Sequence, residues 1–169
     1  TFYKNSGINV KRFLLAIVSM GRFGGGSTIT QQLAKNAFLT QEQTVTRKAK
    51  EFFLSLELTK KYSKQEILTM YLNNAYFGNG VWGVEDASQK YFGTSAANLT
   101  VDEAATLAGM LKGPEIYNPI DNIQNATNRR NTVLANMVDD EKLSQADADS
   151  AAGVDMASRL ADTYQGTGD

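Results

Sequence analysis

The sequence predicts an all-α domain, and three observations carry that prediction. Apolar residues recur at helical spacing along nearly the whole chain, with hardly any strand-like alternation. Two capping-box patterns, Ser63 with Glu66 and Thr100 with Glu103, mark helix starts. A chain of 169 residues that is 42% hydrophobic buries one core of ordinary size and is too apolar to be disordered.

The elements follow in order. Asn9 can cap a first helix running through about Gly21, with Phe13, Ile17 and Met20 on one stripe. After the run Gly24-Gly25-Gly26, Thr28 can cap a second, with Ile29, Leu33 and Ala37 spaced to face a core. A third helix runs from about Thr44 to Lys61 and is expected to bury Ala49, Phe52, Phe53 and Leu56. Ser63 opens a fourth, to about Asn74, and the helix opened by Thr100 stops at Gly113 and Pro114. Residues 125–138 and 145–152 read as two more. Tyr76 to Gly83, aromatic and glycine-rich, is a small irregular or extended segment. Residues 1–164 read as one domain and 165–169 as the start of a linker.

Composition removes several chemistries. There is no cysteine and no histidine, which excludes disulfides, a Ser-His-Asp triad and His-ligated zinc. Acid-base work must therefore fall to carboxylates, Lys or Tyr. The net charge of -1 hides an asymmetry: residues 35–64 carry seven Lys/Arg against three Asp/Glu, and residues 139–169 carry eight acids against two bases. One basic segment on a near-neutral chain suits a local anionic ligand and not nucleic acid, which calls for a broad basic face. The longest apolar run, Phe13 to Val18, is far too short to span a bilayer and no signal peptide is visible, so the chain as it stands is expected to be soluble.

Two nucleotide-binding motifs fail against this layout. Gly21 to Thr28 resembles a P-loop until its lysine is sought, because Ser27 follows Gly26 directly. Gly78, Gly80 and Gly83 form G-x-G-x-x-G, with Asp102 and Glu103 where a ribose-binding acid would fall, but no strand precedes them and no βαβ unit surrounds them.

What remains is a constellation on two helices. Gln32, Lys35 and Asn36 lie within about one turn of each other, behind Ser27 and Thr28 at the helix N-terminus. Free backbone N–H groups and a partial positive charge make that end a setting for an anion. On the next helix Arg47 and Glu51 share a face at i, i+4 and Lys48 flanks it, with Phe52 and Phe53 on an apolar side. The same spacing also fits a solvent-facing ion pair worth about 0.3–0.5 kcal/mol and an ordinary polar helix face. Spacing alone leaves both readings open.

The run from Gly25 to Asn36, then Arg47-Lys48-x-x-Glu51, then Tyr71-Leu72-Asn73 through Tyr76-x-Gly78-x-Gly80-x-x-Gly83, resembles the peptidoglycan glycosyltransferase domain of bifunctional class A penicillin-binding proteins. The likeness continues through Ala87, Tyr91-Phe92-Gly93, Glu103-Ala104, Tyr117-Asn118-Pro119 and Arg129-Arg130, covering nearly the whole chain. It implies a lysozyme-like helical fold that polymerises lipid II, the undecaprenyl-pyrophosphate-linked disaccharide-pentapeptide. The reaction implied is inverting: the acceptor's 4-hydroxyl attacks the anomeric carbon of the growing glycan and expels undecaprenyl pyrophosphate. Carried over by position, Ser27, Thr28, Gln32, Lys35, Asn36, Arg47 and Lys48 would line the phosphate and sugar path. Glu51 would match the family's second glutamate, orienting the pyrophosphate side, where a divalent cation (Mg²⁺ or Mn²⁺) is compatible; no tightly bound cofactor is implied. Tyr71 and Tyr76 would border the same cleft or simply be core.

The partners implied are lipid II, the growing glycan chain, the membrane surface and a transpeptidase domain C-terminal in the parent protein. The place implied is the extracytoplasmic face of the bacterial cell membrane, with an upstream transmembrane helix as anchor. Phe13, Leu14, Phe23 and Phe38 are candidates for a membrane-facing surface, the first two equally for the core. Gly21 to Gly26 are expected to hinge a loop that orders over substrate.

The departures from the family pattern carry expectations of their own. The family's general base is the glutamate of Glu-Asp-x-x-Phe; Phe2 fits that phenylalanine, so the Glu and Asp fall upstream of Thr1 and the polypeptide as it stands is expected to be inactive. Asn5 stands where relatives commonly carry histidine, and Gln43 where they often carry a basic residue. Neither Ser-x-x-Lys nor Lys-Thr-Gly occurs, so penicillin binding is not expected of this segment. Two alternatives stay in view: a lysozyme-like hydrolase of glycan, and a catalytically dead glycan- or lipid-binding module. A hydrolase of uncharged glycosidic bonds has no need for the cations Lys35, Arg47 and Lys48.

Overall fold

The computed structural model describes residues 4–5, 8–19 and 45–161, and among these the chain is helical apart from one small ribbon and the connecting turns. Lys4–Asn5 (β1) pairs antiparallel with Ile8–Asn9 (β2). Two-residue strands are too short to show alternation, which is why the sequence does not announce them.

Val10–Ser19 (α1) follows directly, and Phe13, Leu14, Leu15 and Ile17 are buried in the core. The predicted stripe through Phe13 and Ile17 is therefore present. Phe13 and Leu14 are corrected as membrane-facing candidates, because their side chains are taken up inside the domain. Met20, the Gly21 to Gly26 loop, the helix expected from Thr28 with Ile29, Leu33 and Ala37, and Phe23 and Phe38 lie outside the described residues.

Val45–Lys61 (α2) begins within a residue of its expected start but turns a different face inward. Glu51, Ser55 and Leu58, at i, i+4 and i+7, are buried, whereas Phe53 is 64% exposed and Leu56 42%. The expectation that Phe53 and Leu56 are buried is thus overturned. Position 53 lies about 200° around the helix from 51, so the two cannot both face the core. The side chains of Ala49 and Phe52 lie outside the description.

Lys64–Asn74 (α3) opens with the predicted capping box: the Glu66 amide donates to Ser63 Oγ at 3.1 Å and the Ser63 amide to Glu66 Oε1 at 2.8 Å. It buries Ile67, Leu68, Tyr71 and Leu72. Val84–Phe92 (α4) was not foreseen. Its N-cap is Gly83, with no side-chain cap, so the local signal that marks a helix start is missing. Gly93 closes α4 in the left-handed conformation at φ 67°.

Val101–Met110 (α5) is the central helix, buried at every position from Asp102 to Met110. Its capping box is present, with the Thr100 amide donating to Glu103 Oε1 at 2.9 Å. It ends at Met110, short of the expected Gly113, and Pro114 instead opens a further short helix, Pro114–Tyr117 (α6), at a position where its missing N–H costs nothing. Ile123–Asp139 (α7) packs along α5, and Gln145–Ala152 (α8) packs on α7. Small residues on α5, Ala104, Ala105 and Ala108, let the neighbouring backbones approach.

Two cations fasten the C-terminal segment to this core. Arg130 on α7 is fully buried and donates from Nη1 to the Val154 carbonyl and from Nη2 to the Ala152 carbonyl, both at 3.0 Å. It thereby satisfies a carbonyl at the end of α8, where a helix leaves acceptors unpaired and favours positive charge. Arg159 pairs with Asp102 at 2.9 Å. The Ala161 amide then donates to the Tyr91 carbonyl at 2.9 Å, tying the segment to α4.

Candidate active site

α2 carries three residues of the predicted constellation. Glu51 is 1% exposed, which rejects the reading of Arg47 and Glu51 as a solvent-facing ion pair. Carboxylates are seldom fully buried without a chemical reason, and such groups concentrate at functional sites. The backbone sets Arg47 one turn before Glu51 on the same face, with Lys48 alongside; their side chains lie outside the description. Ser27, Thr28, Gln32, Lys35 and Asn36 also lie outside the described residues. The aromatic flank expected for Glu51 is not supplied by Phe53, which points to the opposite side; Ser55 and Leu58 share the face of Glu51.

The stretch 75–83 is a tight hairpin anchored at both ends. The Phe77 amide donates to the Val81 carbonyl at 2.9 Å and the Gly83 amide to the Ala75 carbonyl at 2.8 Å, with Tyr76 and Trp82 bridged antiparallel. Gly78, Asn79, Gly80 and Gly83 all hold positive φ, between 53° and 89°. A Cβ on Gly83 would sit 2.7 Å from the Asn73 carbonyl oxygen, so glycine there permits α3 and the hairpin to meet. The G-x-G-x-x-G glycines thus build a turn; among the described residues there is no βαβ unit around them.

Tyr76 and Tyr71 take different places. Tyr76 is half-buried, accepts a 3.1 Å hydrogen bond from the Gly80 amide, and packs its ring 4.7 Å from that of Trp82 at a 44° tilt. Tyr71 belongs to the core, and burial pushes its hydroxyl far above the usual tyrosine range. Tyr91 underlies the hairpin: its hydroxyl donates to the Phe77 carbonyl at 2.6 Å and accepts from Asn79 Nδ2 at 2.9 Å. Burial raises that hydroxyl to about 12, against an opposing contribution from the Asn79 hydrogen bond.

Several of the remaining motif residues are architectural. Asn118 is fully buried, accepts from the Asp121 amide at 2.8 Å and donates to the Pro114 carbonyl at 3.1 Å, turning the chain from α6 into α7. Glu103 caps α5, and burial raises its carboxyl above the usual range, partly offset by the Thr100 hydrogen bonds. Burial likewise lowers the Arg129 and Arg130 guanidinium values. Sequence reasoning did not single out Trp82, although it is the sole tryptophan and lies in the one aromatic, glycine-rich stretch.

With this helical frame and buried glutamate in place, the relatives can be set beside it. The chain belongs to the transglycosylase family, whose sequence model matches residues 1–138. It is 69% identical over 166 residues to penicillin-binding protein 2a of Streptococcus pneumoniae, covering 98% of this chain and 23% of that protein. It is 44% identical over 156 residues to penicillin-binding protein 1F of Bacillus subtilis, covering 90% of this chain and 22% of that protein. Among solved structures, penicillin-binding protein 1A from Haemophilus influenzae superposes with a TM-score of 0.53 at 30% identity, covering 75% of this chain and 16% of that one. The all-α, lysozyme-like fold expected from the sequence is thereby shown. The chain spans under a quarter of the length of each of these relatives.

Proposed function

We propose that this chain is a peptidoglycan glycosyltransferase domain that polymerises lipid II into glycan strands and releases undecaprenyl pyrophosphate with inversion. The observation that carries the reading is the burial of Glu51 one turn beyond Arg47-Lys48 in a transglycosylase-family chain. As the acceptor's 4-hydroxyl oxygen bonds to the anomeric carbon, its proton passes to the general-base glutamate of the family's Glu-Asp-x-x-Phe pattern, the bond to the pyrophosphate oxygen breaks and negative charge grows on the leaving group. Arg47, Lys48 and Lys35 stabilise that charge where it develops, and Ser27, Thr28, Gln32 and Asn36 bond the phosphate and sugar oxygens. Glu51 orients this cationic side. Tyr76 borders the sugar path at the surface, and Tyr71 supports it from the core.

Among the described residues no three acidic side chains gather as a metal-ligand set, and Ser55 and Leu58 share the face of Glu51. A Mg²⁺ or Mn²⁺ ion needs only one or two carboxylates beside substrate phosphates, so Glu51 would hold it on the pyrophosphate side, where it would supply positive charge to the leaving group. In the parent protein the domain acts beside a transpeptidase at the extracytoplasmic membrane surface, held by an anchor outside this chain. Among the described residues no helix is long and apolar enough to cross a membrane.

The test uses the chain extended upstream through the Glu-Asp of the family pattern, incubated with fluorescent lipid II and, separately, with preformed glycan strands. A ladder of lengthening products supports the polymerase. Shortening of the preformed strands with no ladder replaces it with the hydrolase.

A further inference from the structure

We propose that Trp82 and Tyr76 form a stacking platform for a neutral N-acetylhexosamine ring of the glycan. The identity of the sugar rests on the polymerase reading above; the platform itself rests on the hairpin. Trp82 is 47% exposed, and that exposure is built in. Val81 and Gly83 on either side are buried, so alternation along the strand turns Trp82 outward. The turn that fixes it holds positive φ at Gly78, Asn79, Gly80 and Gly83, and Tyr76 is pinned by the Gly80 amide. Beneath them the Tyr91 hydroxyl holds the Phe77 carbonyl.

The chemistry of the surface selects the occupant. The two rings pack on each other, 4.7 Å apart and tilted by 44°, so Tyr76 backs Trp82 and the exposed side of the indole is the apolar, electron-rich surface left open. Such a surface receives the C–H side of a pyranose, and two-torsion aromatic side chains lose little freedom on binding. From Asn73 to Val84 the sequence carries no charged residue, which disfavours a pyrophosphate or an anionic headgroup. The exposed Asn73 adds an amide suited to hydroxyl and acetamido groups, and Asn79, whose Nδ2 donates to the Tyr91 hydroxyl, adds an acceptor oxygen. An apolar floor with a neutral polar rim matches N-acetylglucosamine.

Because Trp82 is the only tryptophan of this chain, its intrinsic fluorescence reports the site directly. Titration with chitotetraose, the β-1,4-linked N-acetylglucosamine tetramer, is expected to give a saturable change in emission. By calorimetry Trp82→Tyr keeps the affinity within a few-fold, and Trp82→Ala weakens it by about tenfold or more. No saturable change at millimolar sugar in a cooperatively folded chain overturns the proposal. So does emission that shifts only with phosphatidylglycerol vesicles, which makes Trp82 an interfacial anchor. Saturable binding without a lipid II ladder from the upstream-extended chain upholds the platform and removes the polymerase; a ladder without binding does the reverse.

Discussion

The Tyr91 hydroxyl donates a 2.6 Å hydrogen bond to the Phe77 carbonyl, joining α4 to the hairpin across fourteen residues of sequence. Both residues are fully buried, so no water replaces the bond when it is lost. Tyr91→Phe is expected to lower stability by about 1–3 kcal/mol, the cost of a buried acceptor left unmade. Urea unfolding measures the loss, and Trp82 emission reports loosening of the hairpin in the folded variant.

Alkaline pH acts on the same group. Burial raises Tyr91 to about 12 and Tyr71 beyond that, whereas in the unfolded chain both ionise near 10. Their contribution to stability is fully present below pH 10. Above it the unfolded state binds fewer protons than the folded one, so stability falls as pH rises. Urea midpoints measured from about pH 9 to about pH 11 are expected to decline, and less steeply in Tyr71→Phe/Tyr91→Phe. Equal slopes in the two proteins would contradict the assignment.

Two glycines of the hairpin separate conformational strain from collision. A Cβ on Gly80 meets nothing within 4 Å, so Gly80→Ala suffers only the left-handed backbone, about 1–2 kcal/mol. Gly83→Ala adds a backbone clash with the Asn73 carbonyl at 2.7 Å, which cannot relax without moving the end of α3. Thermal unfolding is expected to show the larger fall for Gly83→Ala, at about 2–4 °C per kcal/mol for a chain of this size.

Arg130 is a fork that a lysine cannot replace. Its two terminal nitrogens reach the Ala152 and Val154 carbonyls together, each at 3.0 Å. A lysine presents one compact ammonium and loses at least one charge-assisted bond. Arg130→Lys is therefore expected to cost about 2 kcal/mol or more, with faster amide exchange confined first to residues 145–161.

What the sequence reveals depends on how local the code is. Ser63 with Glu66 and Thr100 with Glu103 name their helix starts within four residues, and both boxes are present. α4 lacks such a cap, because Gly83 has no side chain to bond the first turn, and so its start was not legible. For α2 the extent was legible and the inward face was not. Apolarity ranked Phe53 and Leu56 above Glu51 and Ser55, but tertiary register chose the polar pair. That inversion is itself the mark of the candidate site, since a buried glutamate, unlike a buried serine, carries a charge that a helix face seldom turns inward without a chemical role. Trp82 was hidden for the opposite reason: its outward placement comes from four positive-φ residues acting together.

The most direct test of the account is Glu51→Gln, which keeps the volume and removes the carboxylate, in the upstream-extended chain. Lipid II polymerisation and urea unfolding are read on the same preparation. The account predicts loss of the glycan ladder with an unfolding free energy within about 1 kcal/mol of wild type. An undiminished ladder from the folded variant would contradict it, leaving Glu51 a structural residue.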